Sequence, residues 1–148
     1  MPSPADVLTR MLHAVDALDW ATVRTCFADT VRTDYTELMG GDPEVIAADD
    51  LVARWQGVFP GFEATQHQTG PCVVTDDGWL ETHVQAVHHL AGAEGGPVWR
   101  VYGHYVARIV DEQIVDFTLQ LYYTDGNDSL VAQAAERATT SPRTPRVR

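Results

Sequence analysis

Four strand-like segments joined by short links fill the second half of the chain, and they constrain its fold more than any other feature. These segments cover residues 64–75, 79–90, 98–110 and 113–123. The links between them, DDG at 76–78, AGAEGG at 91–96 and DE at 111–112, have room only for tight turns. Tight turns join antiparallel neighbours, so the sequence predicts a largely antiparallel sheet.

The first half predicts helices that can cover one face of this sheet. Residues 4–18 repeat apolar side chains at the spacing of one helix face. Two further helices are predicted over 20–27 and 48–59, with a short strand over 31–38 between them, and a last helix over 128–138. This order predicts an α+β fold in which helices pack onto one face of a strongly curved antiparallel sheet.

Charge is distributed unevenly along the chain. All 21 acidic residues and six of the ten arginines lie in residues 1–136, which gives this part a formal charge of −15. Such a surface repels phosphate backbones, so no nucleic-acid partner is expected. The last residues, 139–148, are basic and contain two prolines. We predict a single domain over 1–138 followed by a disordered basic tail.

Several cofactor and membrane classes lack their sequence signals. The chain has no lysine, which excludes a lysine Schiff base and a phosphate-loop lysine. It shows neither a glycine-rich dinucleotide motif after a strand nor paired metal-binding histidines, so no cofactor and no metal are expected. No apolar run approaches 18 residues and no secretory signal is visible, so we expect a cytoplasmic protein without a membrane partner.

Four patches of the sequence resemble a known enzyme family. They are ValAspAlaLeuAspTrp (15–20), ThrValArgThrAspTyr (30–35), ThrGlnHis (65–67) and the strand from His83 to His89. They are similar to scytalone dehydratase and to the SnoaL-like proteins near it, within the nuclear-transport-factor-two-like superfamily. The resemblance spans roughly residues 5–125. It implies a cone-shaped fold around an apolar pocket and acid–base catalysis without a cofactor.

The resemblance also implies catalytic residues. Asp16 matches an aspartate that orients a catalytic histidine, and Tyr35 matches a tyrosine that positions a water on the substrate carbonyl. His67 matches one catalytic histidine. His89 matches the second, because His83 and His89 keep the spacing of the family's histidine pair. On this basis Asp16 and His89 are predicted to form a hydrogen-bonded pair.

Other positions depart from the dehydratase pattern. The second water-binding tyrosine falls at Val15, and a serine and an asparagine fall near Val101 and Gly103. The substrate should therefore differ from that of the dehydratase. The remaining predicted pocket wall consists of Trp55, Phe59, Val87, Trp99, Tyr105 and Phe117.

The orientation of the histidine pair 88–89 stays open at this stage. Adjacent strand residues face opposite sides of a sheet, so only one of His88 and His89 can face the pocket. The family register favours His89. The apolar even-numbered positions favour His88 instead; they are Leu80, Val84, Ala86 and Leu90. A slip of one residue would exchange the two faces of the whole strand.

Together with the resemblance, these residue types favour a lyase or isomerase, meaning a dehydratase or cyclase, although opening an epoxide needs much the same acid and base. A base must remove an α-proton, a donor must hold the enolate oxygen, and an acid must protonate the leaving group. The expected substrate is a small apolar oxygenated ring compound, such as a polyketide or terpenoid intermediate. One alternative is an epoxide hydrolase, for which Arg100 and Asp116 supply only part of the required set. The other is a non-catalytic small-molecule-binding or dimerisation module.

We also expect a homo-oligomer, with a dimer favoured over a trimer. The predicted outer face of the sheet carries Trp and Val positions. Sheets with such a face usually cover it with a partner.

Overall fold

The computed structural model of the protein describes residues 1–146. The helices are α1 (Pro4–Ala17), α2 (Trp20–Thr25), α3 (Thr36–Met39), α4 (Ala48–Gln56), a short 3₁₀ helix (Phe59–Gly61) and α5 (Leu130–Thr140). The strands are β1 (Phe27–Asp34), β2 (Glu44–Ala47), β3 (Ala64–Thr69), β4 (Val73–Val74), β5 (Trp79–His89), β6 (Val98–Val110) and β7 (Gln113–Gly126). None of the helices in this range is both long and apolar enough to cross a membrane.

The strands form one curved sheet in the order β2-β1-β7-β6-β5-β3, with β4 paired to the beginning of β5. Neighbours are antiparallel, as predicted, except that β1 runs parallel to β7. The pairing of β6 with β7 shifts register between Tyr102 and Gly103, and again between Arg108 and Ile109. Such irregularities bend strands, so they help to give this sheet its concave face.

Helix α1 lies across the concave face, where it contacts β3, β5, β6 and β7. Its start is fixed by a capping box, in which the Ser3 hydroxyl accepts a hydrogen bond from the Asp6 amide while the Asp6 carboxylate accepts one from the Ser3 amide. Its end is fixed at Leu18, whose φ of 58° is left-handed. The predicted apolar face is buried, with Val7 and Met11 fully inaccessible to solvent.

The structure differs from the predicted strand over 31–38. Strand β1 begins earlier, at Phe27, and ends at Asp34. There the Asp34 carboxylate accepts hydrogen bonds from the Thr36 amide at 3.1 Å and from the Thr36 hydroxyl at 2.7 Å. An aspartate that binds the backbone two residues on produces a turn, so the chain leaves the sheet and enters α3.

The structure also departs from the predicted disordered tail over residues 139–146. Helix α5 continues to Thr140, and the following segment is hydrogen-bonded to the body. The Arg143 amide donates to the Pro60 carbonyl, and the Arg146 amide donates to the Ala17 carbonyl, both at 2.8 Å. The last two positions of the predicted tail, 147–148, lie outside the described residues.

The outer face of the sheet carries aromatic side chains on β6 and β7. Tyr102 and Tyr123 stack with their ring centroids 4.3 Å apart, and Tyr122 and Tyr123 are each 56% exposed. We expect this face to pair two copies of the chain, because covering it would remove aromatic surface from water. Light scattering at micromolar concentration should give twice the chain mass, and a Tyr122→Ser/Tyr123→Ser variant should be monomeric. A monomeric wild-type mass would contradict the prediction.

Candidate active site

A cavity of about 340 Å³ lies between the helices and the concave face of the sheet. Its wall is mostly apolar. Seven of the ten predicted site residues line it: Tyr35, Trp55, Phe59, His67, Trp99, Tyr105 and Phe117. Asp16, Val87 and His89 do not belong to the lining.

Asp16 forms a hydrogen-bonded pair with His67. The Asp16 carboxylate extends from the last turn of α1 to β3, where its Oδ1 lies 2.7 Å from His67 Nδ1. The same carboxylate accepts a hydrogen bond from the His67 amide at 2.9 Å and one from the Thr65 hydroxyl at 2.9 Å. Because an ionised carboxylate only accepts hydrogen bonds, the imidazole proton is on Nδ1 and Nε2 is free to exchange a proton.

The hydrogen bonds keep Asp16 ionised although it is largely buried. Burial raises the pKa of this carboxyl, but the hydrogen bonds from His67 and Thr65, and the positive charge of His67 when it is protonated, outweigh it. The pKa of Asp16 therefore lies below its usual value. A permanent negative charge behind His67 stabilises the imidazolium that forms when Nε2 takes a proton.

His88, not His89, faces the cavity, so the predicted pairing of Asp16 with His89 was wrong. The His88 side chain is buried against the wall, and its ring lies 5.9 Å from the His67 ring at an angle of 83°. His89 points outward, and its Nδ1 lies 3.7 Å from a Glu63 carboxylate oxygen. Val87 shares this outer face, so its predicted place in the pocket wall was also wrong. The alternation of β5 puts the even-numbered positions inside.

His88 is a neutral imidazole with a defined tautomer. Burial, together with the nearby His67, lowers the pKa of His88 to about 4. Its Nδ1 donates a hydrogen bond to the Trp99 carbonyl at 3.1 Å. A carbonyl oxygen accepts but does not donate, so the proton is on Nδ1 and Nε2 is a hydrogen-bond acceptor.

Hydrogen-bond donors complete the polar part of the cavity. Burial raises the pKa of Tyr35, and the neighbouring Tyr105 raises it further. Burial also raises the pKa of Tyr105, with a second contribution from the charge of Asp16. Both hydroxyls therefore remain protonated and can donate. Among the described residues no partner accepts from the buried indole nitrogen of Trp99, which also belongs to the lining.

Two other arrangements considered from the sequence do not occur at the cavity. Arg100 binds the exposed Asp125 at 3.4 Å, and Asp116 lies 3.5 Å from Arg32, so the partial epoxide-hydrolase set lies outside the lining. Within residues 1–146, no group of three or more His, Cys, Asp or Glu side chains is placed to hold a metal ion. Sequence reasoning assigned no role to Thr65, although Thr65 belongs to the ThrGlnHis patch (65–67) that contains His67.

Solved structures from several bacteria share this fold. The Kfla4162 protein from Kribbella flavida aligns with a TM-score of 0.75 at 22% identity, covering 93% of this chain and 95% of its own. A candidate scytalone dehydratase from Novosphingobium aromaticivorans aligns with a TM-score of 0.67 at 16% identity, covering 82% of this chain and 83% of its own. The Rv0760c protein from Mycobacterium tuberculosis, in complex with estradiol-17β-hemisuccinate, aligns with a TM-score of 0.67 at 12% identity. The alignment covers 84% of this chain and 99% of that protein.

The family is shown by sequence. A comparison with curated proteins found no match. The model of the SnoaL-like domain family, in contrast, matches residues 5–116, about three quarters of the chain. This range contains α1, β3 and β5, the elements that place Asp16, His67 and His88 around the cavity. The chain belongs to the SnoaL-like domain family and has the nuclear-transport-factor-two-like fold.

Proposed function

We propose that the protein is a cofactor-independent lyase or isomerase, a dehydratase or cyclase that acts by acid–base catalysis. The observation that carries the proposal is the Asp16–His67 pair, whose imidazole lines an apolar cavity beside the neutral His88. The SnoaL-like family supports it, since that family includes polyketide cyclases and dehydratases.

Dehydration of a β-hydroxyketone illustrates the chemistry that these residues support. His67 Nε2 removes the α-proton while the Tyr35 and Tyr105 hydroxyls donate to the carbonyl oxygen, which carries the enolate charge. His88 Nε2 accepts from the substrate hydroxyl and orients it. The electron pair of the broken C–H bond forms the new C=C bond as the C–O bond breaks. The His67 imidazolium then returns its proton to the leaving hydroxide, so the products are an enone and water.

The cavity indicates the class of substrate. Its volume of about 340 Å³ lies near the lower end for ligand sites and suits a compound of a few rings. Apart from the histidines, its ionisable or charged lining residues include Asp42, Glu44 and Arg54, which are exposed and therefore lie at its opening. Glu44 and Arg54 neutralise each other in an ion pair. These features favour a small, uncharged, mostly apolar oxygenated compound such as a polyketide or terpenoid intermediate.

A non-catalytic binding role is the second candidate. The mycobacterial structure in complex with a steroid ester supports it, because it holds a ligand of this general type on the same fold. Turnover distinguishes the two functions, since a binding protein releases its ligand unchanged.

The experiment is a turnover screen followed by mass spectrometry. The wild-type protein is incubated with cyclic β-hydroxyketones, unsaturated polyketide-like ketones and epoxides, with and without a strong chelator. We expect loss of one water, or an isomer of unchanged mass, in both conditions. His67→Gln should abolish the reaction, whereas His89→Gln, a matched change outside the cavity, should not. Binding without turnover across the panel would favour the binding protein, and addition of water to an epoxide would favour a hydrolase.

A further inference from the structure

The segment that follows α5 closes the end of the helix that carries Asp16. A helix leaves its last carbonyls without partners inside the helix. In α1, two of them accept from the amides of Leu18 and Asp19. The next two, from Asp16 and Ala17, accept from a distant part of the chain: Arg143 Nη1 at 3.1 Å and the Arg146 amide at 2.8 Å. Residues 141–146 therefore act as a C-terminal cap for α1.

Arg143 also connects α1 to the wall of the cavity. Its amide donates at 2.8 Å to the carbonyl of Pro60, in the 3₁₀ helix that contains the lining residue Phe59. A single residue thus holds the backbone of Asp16 with its side chain and the backbone of Pro60 with its main chain. Both contacts lie next to elements that form the cavity.

The Arg143 guanidinium is in an unusual environment for a charge. Its Nε and Nη2 are buried and have no hydrogen-bond partner among the described residues. Burial lowers the pKa of Arg143, while the charge of Asp16 acts in the opposite direction. A buried charge without complete pairing costs free energy, so it needs a compensating interaction. The negative charge of Asp16 is the one that acts on Arg143 in the compensating direction, by raising its pKa.

We infer that Arg143 is a positioning residue for the Asp16–His67 pair: it holds the backbone of Asp16 and balances the charge of its carboxylate. The effect of this role on turnover rests on the proposed function, whereas the coupling of Arg143 to the Asp16–His67 pair does not. Without Arg143, the uncompensated carboxylate would favour the imidazolium form of His67. The base would then be protonated over a wider pH range and inactive there.

The other groups around the pair do not provide this balance near neutral pH. His88 from β5 is neutral, and Tyr105 from β6 stays protonated, for the reasons given above. Asp16 from α1 is ionised. Arg146, on the same segment as Arg143, acts on Arg143 by repulsion. The charged groups around the pair are therefore Asp16 and Arg143, with Arg146 acting on Arg143.

The test follows His67 directly by NMR of histidine-labelled protein during a pH titration. Arg143→Met removes both the charge and the donor, and should raise the midpoint of the His67 titration by about one pH unit. Arg143→Lys keeps the charge, so its midpoint should stay near that of the wild type. Arg10→Met removes an equal charge from the exposed side of α1 and should leave the midpoint unchanged. Equal midpoints in wild type and Arg143→Met would overturn the inference.

A second measurement separates this inference from the proposed function. With a substrate from the turnover screen, Arg143→Met should lower kcat by about tenfold or more, with little change in KM, and shift the acidic limb of the pH–rate profile upward. An NMR shift without any turnover would uphold the positioning role and refute the enzyme. Turnover whose pH–rate profile is the same in wild type and Arg143→Met would uphold the enzyme and refute the positioning role. If Arg143→Met does not fold, Arg143→Gln removes the charge but keeps a donor: a His67 midpoint above that of Arg10→Met supports the charge effect, and an equal midpoint contradicts it.

Discussion

Asp16→Asn should lower kcat by roughly 10²–10⁴-fold while the protein remains folded. Asparagine has nearly the same shape, and its oxygen in the Oδ2 position can still accept from the His67 amide. Its amide nitrogen, however, donates hydrogen bonds where the carboxylate accepted them. Placed against His67 Nδ1, it would favour the tautomer with the proton on Nε2, and the base would lose the lone pair that it needs. The measurement is kcat on a substrate identified by turnover.

Two controls make this result specific. Glu63→Gln changes the carboxylate beside the outward-facing His89, so it should leave kcat unchanged. The double variant Asp16→Asn/His67→Ala should be little slower than either single variant, because residues that act as a unit lose their effect together. Independent, multiplicative losses would show that Asp16 and His67 do not work as a pair.

His88 should make the protein less stable as the pH falls. Its pKa is about 4 in the folded protein against an ordinary value of 6.5. Above pH 6.5 the imidazole is neutral in both states, so it contributes no pH dependence. Between pH 6.5 and 4 the unfolded chain binds a proton that the folded protein does not, and the free energy of unfolding falls by up to about 3 kcal/mol.

The variant His88→Asn isolates this effect. The asparagine amide can replace the Nδ1–H that donates to the Trp99 carbonyl, but it does not titrate. Its smaller volume costs some stability at every pH. Denaturant unfolding at several pH values should therefore give a lower but flatter stability profile than wild type over this range. His13→Asn, an exposed histidine on α1, should keep the wild-type slope. A wild-type slope in His88→Asn would contradict the prediction.

The sequence predicts the local parts of this structure well. Short links require β5, β6 and β7 to be antiparallel neighbours, and the apolar spacing of residues 4–18 defines α1. Both signals are complete within a short stretch of chain. The parallel pairing of β1 with β7 has no such signal, because it joins segments that are far apart and is decided by packing.

In the candidate site, too, the features with a local signal in the sequence could be predicted and those made by distant segments could not. The resemblance brought Asp16 and His67 to attention, but its register placed His89 inside. The simpler alternation of apolar residues on β5 indicated His88, and the structure agrees with that alternation. The contacts of Arg143 could not be predicted, because its acceptors are backbone carbonyls. Every residue type has such a carbonyl, so no pattern of residue types marks these positions. A basic, proline-containing end predicts disorder from composition alone.

The parallel pairing of β1 with β7 has a consequence for synthesis on the ribosome. Strand β1 ends at residue 34, whereas its partner β7 spans residues 113–126. The two cannot meet until most of the chain has been translated, and β7 also supplies the wall residues Phe117 and Leu119. The N-terminal strands and α1 therefore spend most of translation without the surface that covers them. The cavity is among the last features that the nascent chain can complete.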